Sequence, residues 1–156
     1  MAAIILDANA VIMHGRLFSE RVKNYQGDSI LMLPAAVKQE LVDGVLDNED
    51  GPENHRASAH SIQRLISEGH LQVQEPDFDQ FGAVVDEARR RIADDDLPEH
   101  AVKADQYIPA LVCELAVEGN VTLVTADKKL RVVTREIVER RGLDENVSMS
   151  DPLTVL

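Results

Sequence analysis

Apolar positions along this chain alternate between two spacings. Short β-prone runs occur at AIILD (3–7), ILML (30–33), LQVQ (71–74) and VTLVT (121–125). The first has no room for a helix before its break, and the others read the same way, so each predicts a strand. Between them the period lengthens to that of a helix. AAVKQELVDGVL carries Val37, Leu41 and Val45 at fourfold spacing, with Pro34 acceptable in the first turn. HRASAHSIQRLISEG predicts a helix closed by Gly69, and DFDQFGAVVDEARRRIA one opened by an Asp. DQYIPALVCELAVEG keeps Ile108, Leu111, Val112 and Leu115 on one face and stops at Gly119. DKKLRVVTREIVERRG does the same with Leu130, Val133 and Ile137 before Gly142. SMSDPLTVL supplies a last edge strand. Strands alternating with helices of this length imply parallel β–α–β units, hence an α/β fold: three layers, α/β/α, around a central, mainly parallel sheet.

Composition narrows the class. The 156 residues suit a single domain over 1–156, and the acidic, Pro-bearing loops at 46–54 and 93–100 are too short to be domain linkers. A hydrophobic content of 44% with 28% charged residues is that of an ordinary soluble globule. No apolar stretch approaches the ~20 residues that span a bilayer, and the start lacks the basic and apolar regions of a signal peptide. Cys113, the single cysteine, lies in an apolar helical pattern, which suits a packing role in a reducing compartment. The expectation is a cytoplasmic protein with no membrane partner.

Charge complicates this picture. A net charge of −12 and a pI near 4.7 argue, alone, against a nucleic-acid binder, because phosphates are held by Lys and Arg. Either the acids are spread for solvation, as in a high-salt cytoplasm, or some of them converge on a cation.

Four acids stand where convergence is possible. Asp7 ends the first strand pattern and Asp127 follows VTLVT, so both belong to the carboxyl rim, where open parallel sheets bind ligands. Each taken singly reads more simply as a helix N-cap. Glu40 borders the apolar face of its helix, a costly place for an acid without a partner, although its side chain can also snorkel off the stripe. Asp105 opens the helix that contains Pro109, and alone it too reads as a cap. Together the four form an all-oxygen donor set that selects Mg²⁺ or Mn²⁺ over Zn²⁺. Carboxylates within ~6 Å of one another would otherwise repel strongly. His55 and His60 are off the helical i,i+4 spacing of a zinc pair, and DNEDGPEN is out of register for a calcium loop.

In order and element type these segments resemble the motifs of the PIN-domain nucleases, and among them the VapC-like toxin ribonucleases. IILDANAVI is similar to the first motif, with Asp7 and Asn9 in its Asp-x-Asn. PAAVKQELVDG is similar to the second through Glu40, ADQYIPALVCELA to the third through Asp105, and VTLVTADKKL to the fourth through Thr125 and Asp127. The chain departs from the pattern at Lys129 and Leu130, where a second acid and an aromatic are common, and at Pro34 and Pro109.

The resemblance implies metal-dependent hydrolysis of RNA phosphodiesters, with Mg²⁺ or Mn²⁺ held by Asp7, Asp105 and Asp127 and by Glu40 directly or through water. Asn9 would orient an acid or a water, and Thr125 would hydrogen-bond Asp127 or a bound water. RNA contacts are expected from Lys128, Lys129 and Arg131, beside Asp127. The run Arg89–Arg91 points several ways around a helix and reads as solvated or partner-facing surface. Aromatics make up only 3% of the chain, so base stacking is expected to be minor. A toxin would bring an antitoxin partner and a homodimer. Housekeeping RNA processing and a catalytically silent RNA- or protein-binding module are the alternatives. A phosphatase with an aspartyl nucleophile would want an acid where Asn9 stands.

Overall fold

Three of the five strands are short, mainly aliphatic runs, and their alternation explains the layers. In the computed structural model, which describes residues 2–92 and 104–156, the five are β1 (Ala3–Leu6), β2 (Ile30–Pro34), β3 (Gln72–Gln74), β4 (Val121–Val124) and β5 (Val147–Ser150). All pair in parallel in the order β3-β2-β1-β4-β5. Ile5 and Met32 point to one face with Val121 and Leu123, where they bury against α6 (Phe78–Ile92), α7 (Ile108–Glu118) and α8 (Lys128–Arg140). Ile4, Leu6, Leu31 and Leu33 point to the other face, toward α1 (Ala8–His14), α2 (Phe18–Lys23), α3 (Ala35–Lys38) and α5 (Glu53–Ser67). Each fully buried aliphatic side chain contributes about 1.5–3 kcal/mol, which is why both faces must be covered. The three-layer α/β/α architecture with a parallel sheet is as the hydrophobic pattern indicates.

Several elements differ from the pattern in detail. Pro34 closes β2 and precedes α3 instead of lying in a helical turn. The fourfold spacing of Val37, Leu41 and Val45 does not survive, because a π turn at Gln39–Asp43 inserts one extra residue before α4 (Gly44–Leu46). Its wider ring is closed by the Gly44 N–H donating to the Gln39 carbonyl, and Val37 and Val42 become the buried pair. The last segment is a strand followed by a short helix, α9 (Pro152–Val155), capped by Asp151. Gly69 and Gly142, with φ of +84° and +72°, end α5 and α8 in the left-handed region as C-terminal stops require. The acidic segment 93–100 lies outside the described residues. Cys113 is buried and its thiol is pushed up to about 11 by burial, so it packs as an inert apolar group. Among the described residues no helix is long and apolar enough to cross a membrane.

Candidate active site

Register determines which residues meet at the carboxyl rim. Leu6 of β1 is paired with Val124 of β4, so the next residues, Asp7 and Thr125, emerge side by side where the two strands end. This is also the switch point of the sheet, since β1 connects to β2 on one side and lies against β4 on the other. Asp7 is 2% exposed and Thr125 fully buried.

The hydrogen bonds follow from that placement. Asp7 is the N-cap of α1 and its Oδ1 accepts from the Ala10 N–H at 2.7 Å. Its Oδ2 accepts from the Thr125 hydroxyl. The same hydroxyl oxygen accepts from the Asp127 N–H at 3.0 Å, so one Thr links two of the acids. Asp127 is in turn the N-cap of α8, accepting from the Lys129 and Leu130 N–H groups at 2.9 and 3.1 Å. The capping role is therefore real for both Asp residues. It does not compete with the rim placement, because a parallel sheet brings helix starts and strand ends to the same edge.

Asp105 opens a 3₁₀ turn (Asp105–Tyr107) that leads into α7. Its carboxyl is pushed up from 3.8 to about 7, first by burial and then by the negative charges of Asp7, Asp127 and Glu40. Asp105 thus feels the charge of acids drawn from positions as far apart in sequence as 7 and 127. Burial also raises the Asp7 carboxyl, with Asp127 adding to the effect. The bonds from Thr125 and Ala10 and the Arg131 guanidinium pull it back down. Glu40 lies in the π turn and is exposed, so it faces the edge from solvent and not from the half-buried border of an α-helix. Asn9 is exposed in the first turn of α1.

The basic residues divide into two kinds. Lys128 and Lys129 are exposed in the first turn of α8. Arg131 is half-buried, and its Nε and Nη2 both donate to the Thr125 carbonyl, at 2.8 and 2.5 Å. On α6, Arg89 and Arg91 are engaged by acids: Arg89 with Asp86, and Arg91 with Glu87 and Glu136.

The donor chemistry suits a hard divalent cation: four carboxylates, no thiolate, and an Asp105 carboxyl pushed up to about 7 first by burial and then by the charges of the other three. As placed, no three His, Cys, Asp or Glu side chains among the described residues are close enough together to hold an ion. The acids are gathered at one edge without being closed on a common point.

The whole sequence, residues 1–156, matches the family described as the halobacterial PIN domain. The chain belongs to the halobacterial PIN-domain family. PIN-domain proteins are generally nucleases. The fold agrees with solved structures. The Rickettsia felis VapBC2 complex, bound to a DNA fragment from its promoter, has 12% identity to the chain and a TM-score of 0.54, covering 97% of this chain and 98% of its own. FitAB bound to the IR36 DNA fragment gives 20% identity and a TM-score of 0.51 over 98% and 97%. VapBC-1 from nontypeable Haemophilus influenzae gives 15% and 0.50 over 99% and 100%. At these identities the likeness is one of fold. A search of curated proteins gives no match.

The hydrogen bond expected between Thr125 and Asp127 is present in this PIN domain; what the amino-acid pattern did not reveal is that the same hydroxyl also reaches Asp7, and that Arg131 contacts a carbonyl. The signal for the expected bond is a Thr two residues before an Asp at a strand end, which suits an ST turn. Arg131 at i+4 from Asp127 is the only cue to the carbonyl contact.

Proposed function

We propose that this chain is a divalent-metal-dependent endoribonuclease hydrolysing RNA phosphodiester bonds, acting in the cytoplasm as the VapC-like toxin of a toxin–antitoxin pair and built as a single PIN-like domain. The observation that carries this reading is the Thr125 hydroxyl joining Asp7 to the Asp127 N–H where β1 and β4 end at the switch point of the sheet, and the charges of Asp7, Asp127 and Glu40 acting on the buried Asp105 carboxyl support it. Family membership supports the nuclease class. The solved VapBC and FitAB structures support an antitoxin partner, and a homodimer is proposed with it.

In this reading Asp7, Asp105 and Asp127 hold Mg²⁺ or Mn²⁺, with Glu40 contributing directly or through water. The bound cation supplies a water of lowered pKa and stabilises charge on the phosphate. The protein's own residues prepare that site. Thr125 and the Ala10 N–H orient the two oxygens of Asp7, and each oxygen keeps a further lone pair. The α8 cap fixes Asp127. Asp105, its carboxyl pushed up to about 7, would hold the cation as the deprotonated carboxylate. Asn9 orients a neighbouring acid or water, and Lys128 and Lys129 contact flanking phosphates.

The test is RNA cleavage by purified protein with Mg²⁺ or Mn²⁺ and with chelator, repeated for Asp7→Asn. Asn remains a good N-cap, so this variant removes charge while keeping α1. Metal-dependent cleavage abolished by Asp7→Asn is expected. Equal cleavage by both proteins would remove Asp7 from the site, and no cleavage by either would favour a binding module. A neighbouring gene for a small DNA-binding protein would separate toxin use from housekeeping RNA processing.

A further inference from the structure

We propose that Arg131 is a positioning residue of the acid cluster, locking the end of β4 so that Thr125 holds Asp7 and Asp127 at fixed spacing. This rests on reading the cluster as a cation site. It also sets Arg131 apart from Lys128 and Lys129, with which it would otherwise be grouped as a grip on phosphate.

The case begins where the sheet stops. The Thr125 N–H makes the last bond of β4 to its neighbour, donating to the Ser150 carbonyl at 3.1 Å. The chain then turns into α8 within three residues, which leaves the Thr125 carbonyl beyond the ladder beside a fully buried side chain. A buried carbonyl needs a donor. Arg131 supplies two, from Nε and Nη2. Its backbone N–H meanwhile donates to the Asp127 carbonyl at 3.1 Å, in the first turn of α8.

Residues 125–131 are thereby closed on themselves. The Arg131 side chain holds the Thr125 carbonyl and the Asp127 N–H holds the Thr125 hydroxyl oxygen, while that hydroxyl holds Asp7. If the fork is lost, Thr125 can rotate, and the spacing of the two acids is no longer set. Only Arg presents two N–H groups in a rigid plane to one acceptor, and the point charge of Lys does not reproduce this. The guanidinium also acts on the Asp7 carboxyl and lowers it, so the same contact tempers the repulsion that gathers around it.

The experiment compares Arg131→Lys and Arg131→Gln with Lys128→Ala and the parent protein, each confirmed folded by circular dichroism. In metal-free protein, amide exchange of Asp127 followed by NMR should quicken by about tenfold or more in both Arg131 variants, since its N–H bond to Thr125 loosens. Mn²⁺ affinity should fall about tenfold, and with RNA kcat should drop while KM changes by less than about twofold. Lys128→Ala should raise KM and leave Mn²⁺ affinity unchanged. Arg131 variants with parental Asp127 exchange and Mn²⁺ affinity but a raised KM would overturn the proposal and return Arg131 to the phosphate-contacting group. If the parent cleaves no RNA the nuclease reading fails, yet the exchange and Mn²⁺ measurements still decide the lock. If it binds no Mn²⁺, amide exchange alone decides it.

Discussion

Asp105 concentrates the electrostatics of the site in one titration. Its carboxyl stands at about 7 in the folded protein against an ordinary 3.8, because burial and three neighbouring acids oppose its charge. Between those two values the folded chain keeps a proton that the unfolded chain has released. Stability therefore falls as pH rises through that window, and levels off above it. The full shift corresponds to on the order of 4 kcal/mol at most. Asp7, displaced in the same direction, adds to the loss. In chelator, Asp105→Asn should flatten the decline in melting temperature from about pH 4 to about pH 7, and should melt higher than the parent above it. At this chain length each kcal/mol is worth about 2–4 °C. A lower melting temperature for Asp105→Asn at high pH would mean that the carboxylate is favourably paired in the folded state. Added Mn²⁺ should stabilise the parent more than the variant, since a ligand bound only by the folded state raises its stability.

Elements carry a different kind of information, and two glycines separate what sequence shows from what it hides. Gly82 lies in α6 just after the break at Phe81 (φ −116°, ψ 16°), and an added Cβ there meets nothing within 4 Å. Gly82→Ala should therefore stabilise by about 0.5–1 kcal/mol through reduced backbone freedom. Gly44 is exposed and invites the same substitution, but its Cβ would come within 3.0 Å of the Gln39 carbonyl that accepts the Gly44 N–H. Gly44→Ala should gain nothing or lose stability, as read from urea midpoints. An equal gain at both positions would mean that the π turn relaxes to an ordinary helix in solution. That turn was illegible in the sequence because Val37, Leu41 and Val45 satisfy an α-helical spacing, and nothing local marks an inserted residue. The buried pair Val37 and Val42 appears only once the helix packs against the sheet. Short helices such as α1 and α2, of seven and six residues, give too little period to detect. The strands were legible as aliphatic runs, whereas their order was not, since pairing between segments over a hundred residues apart leaves no local trace. The acids themselves could be picked out because strand-end and helix-start positions are set by local pattern. The link through Thr125 depends on the Leu6–Val124 register, which is a property of the assembled sheet.

At the scale of the whole molecule, 28 acidic residues face 16 basic ones, and the resulting charge of −12 repels itself in the compact state. Several cations are also spent in exposed pairs between α6 and α8, where Arg91 meets Glu136 and Arg140 meets Glu87. Added salt acts on both. Screening weakens the pairs, but exposed pairs are worth only about 0–1 kcal/mol each. It also weakens a repulsion summed over the surface, and the screening length shrinks from about 10 Å at 0.1 M to about 3 Å at 1 M. Twelve unbalanced charges against a few exposed pairs make relief of repulsion the larger effect. The melting temperature of metal-free protein should therefore rise steadily with KCl from about 0.1 M to about 2 M, beyond what an electrically neutral osmolyte achieves. Charge reversal on the surface tests the cause. Replacing acids of the 47–50 loop, Asp47→Lys with Glu49→Lys, changes the net charge by four and leaves the rim acids in place. It should raise stability at low salt and shrink the dependence on KCl. A melting temperature that falls with KCl would show the α6–α8 pairs outweighing the net charge, and the acidity of the surface would then need an explanation other than solvation in salt.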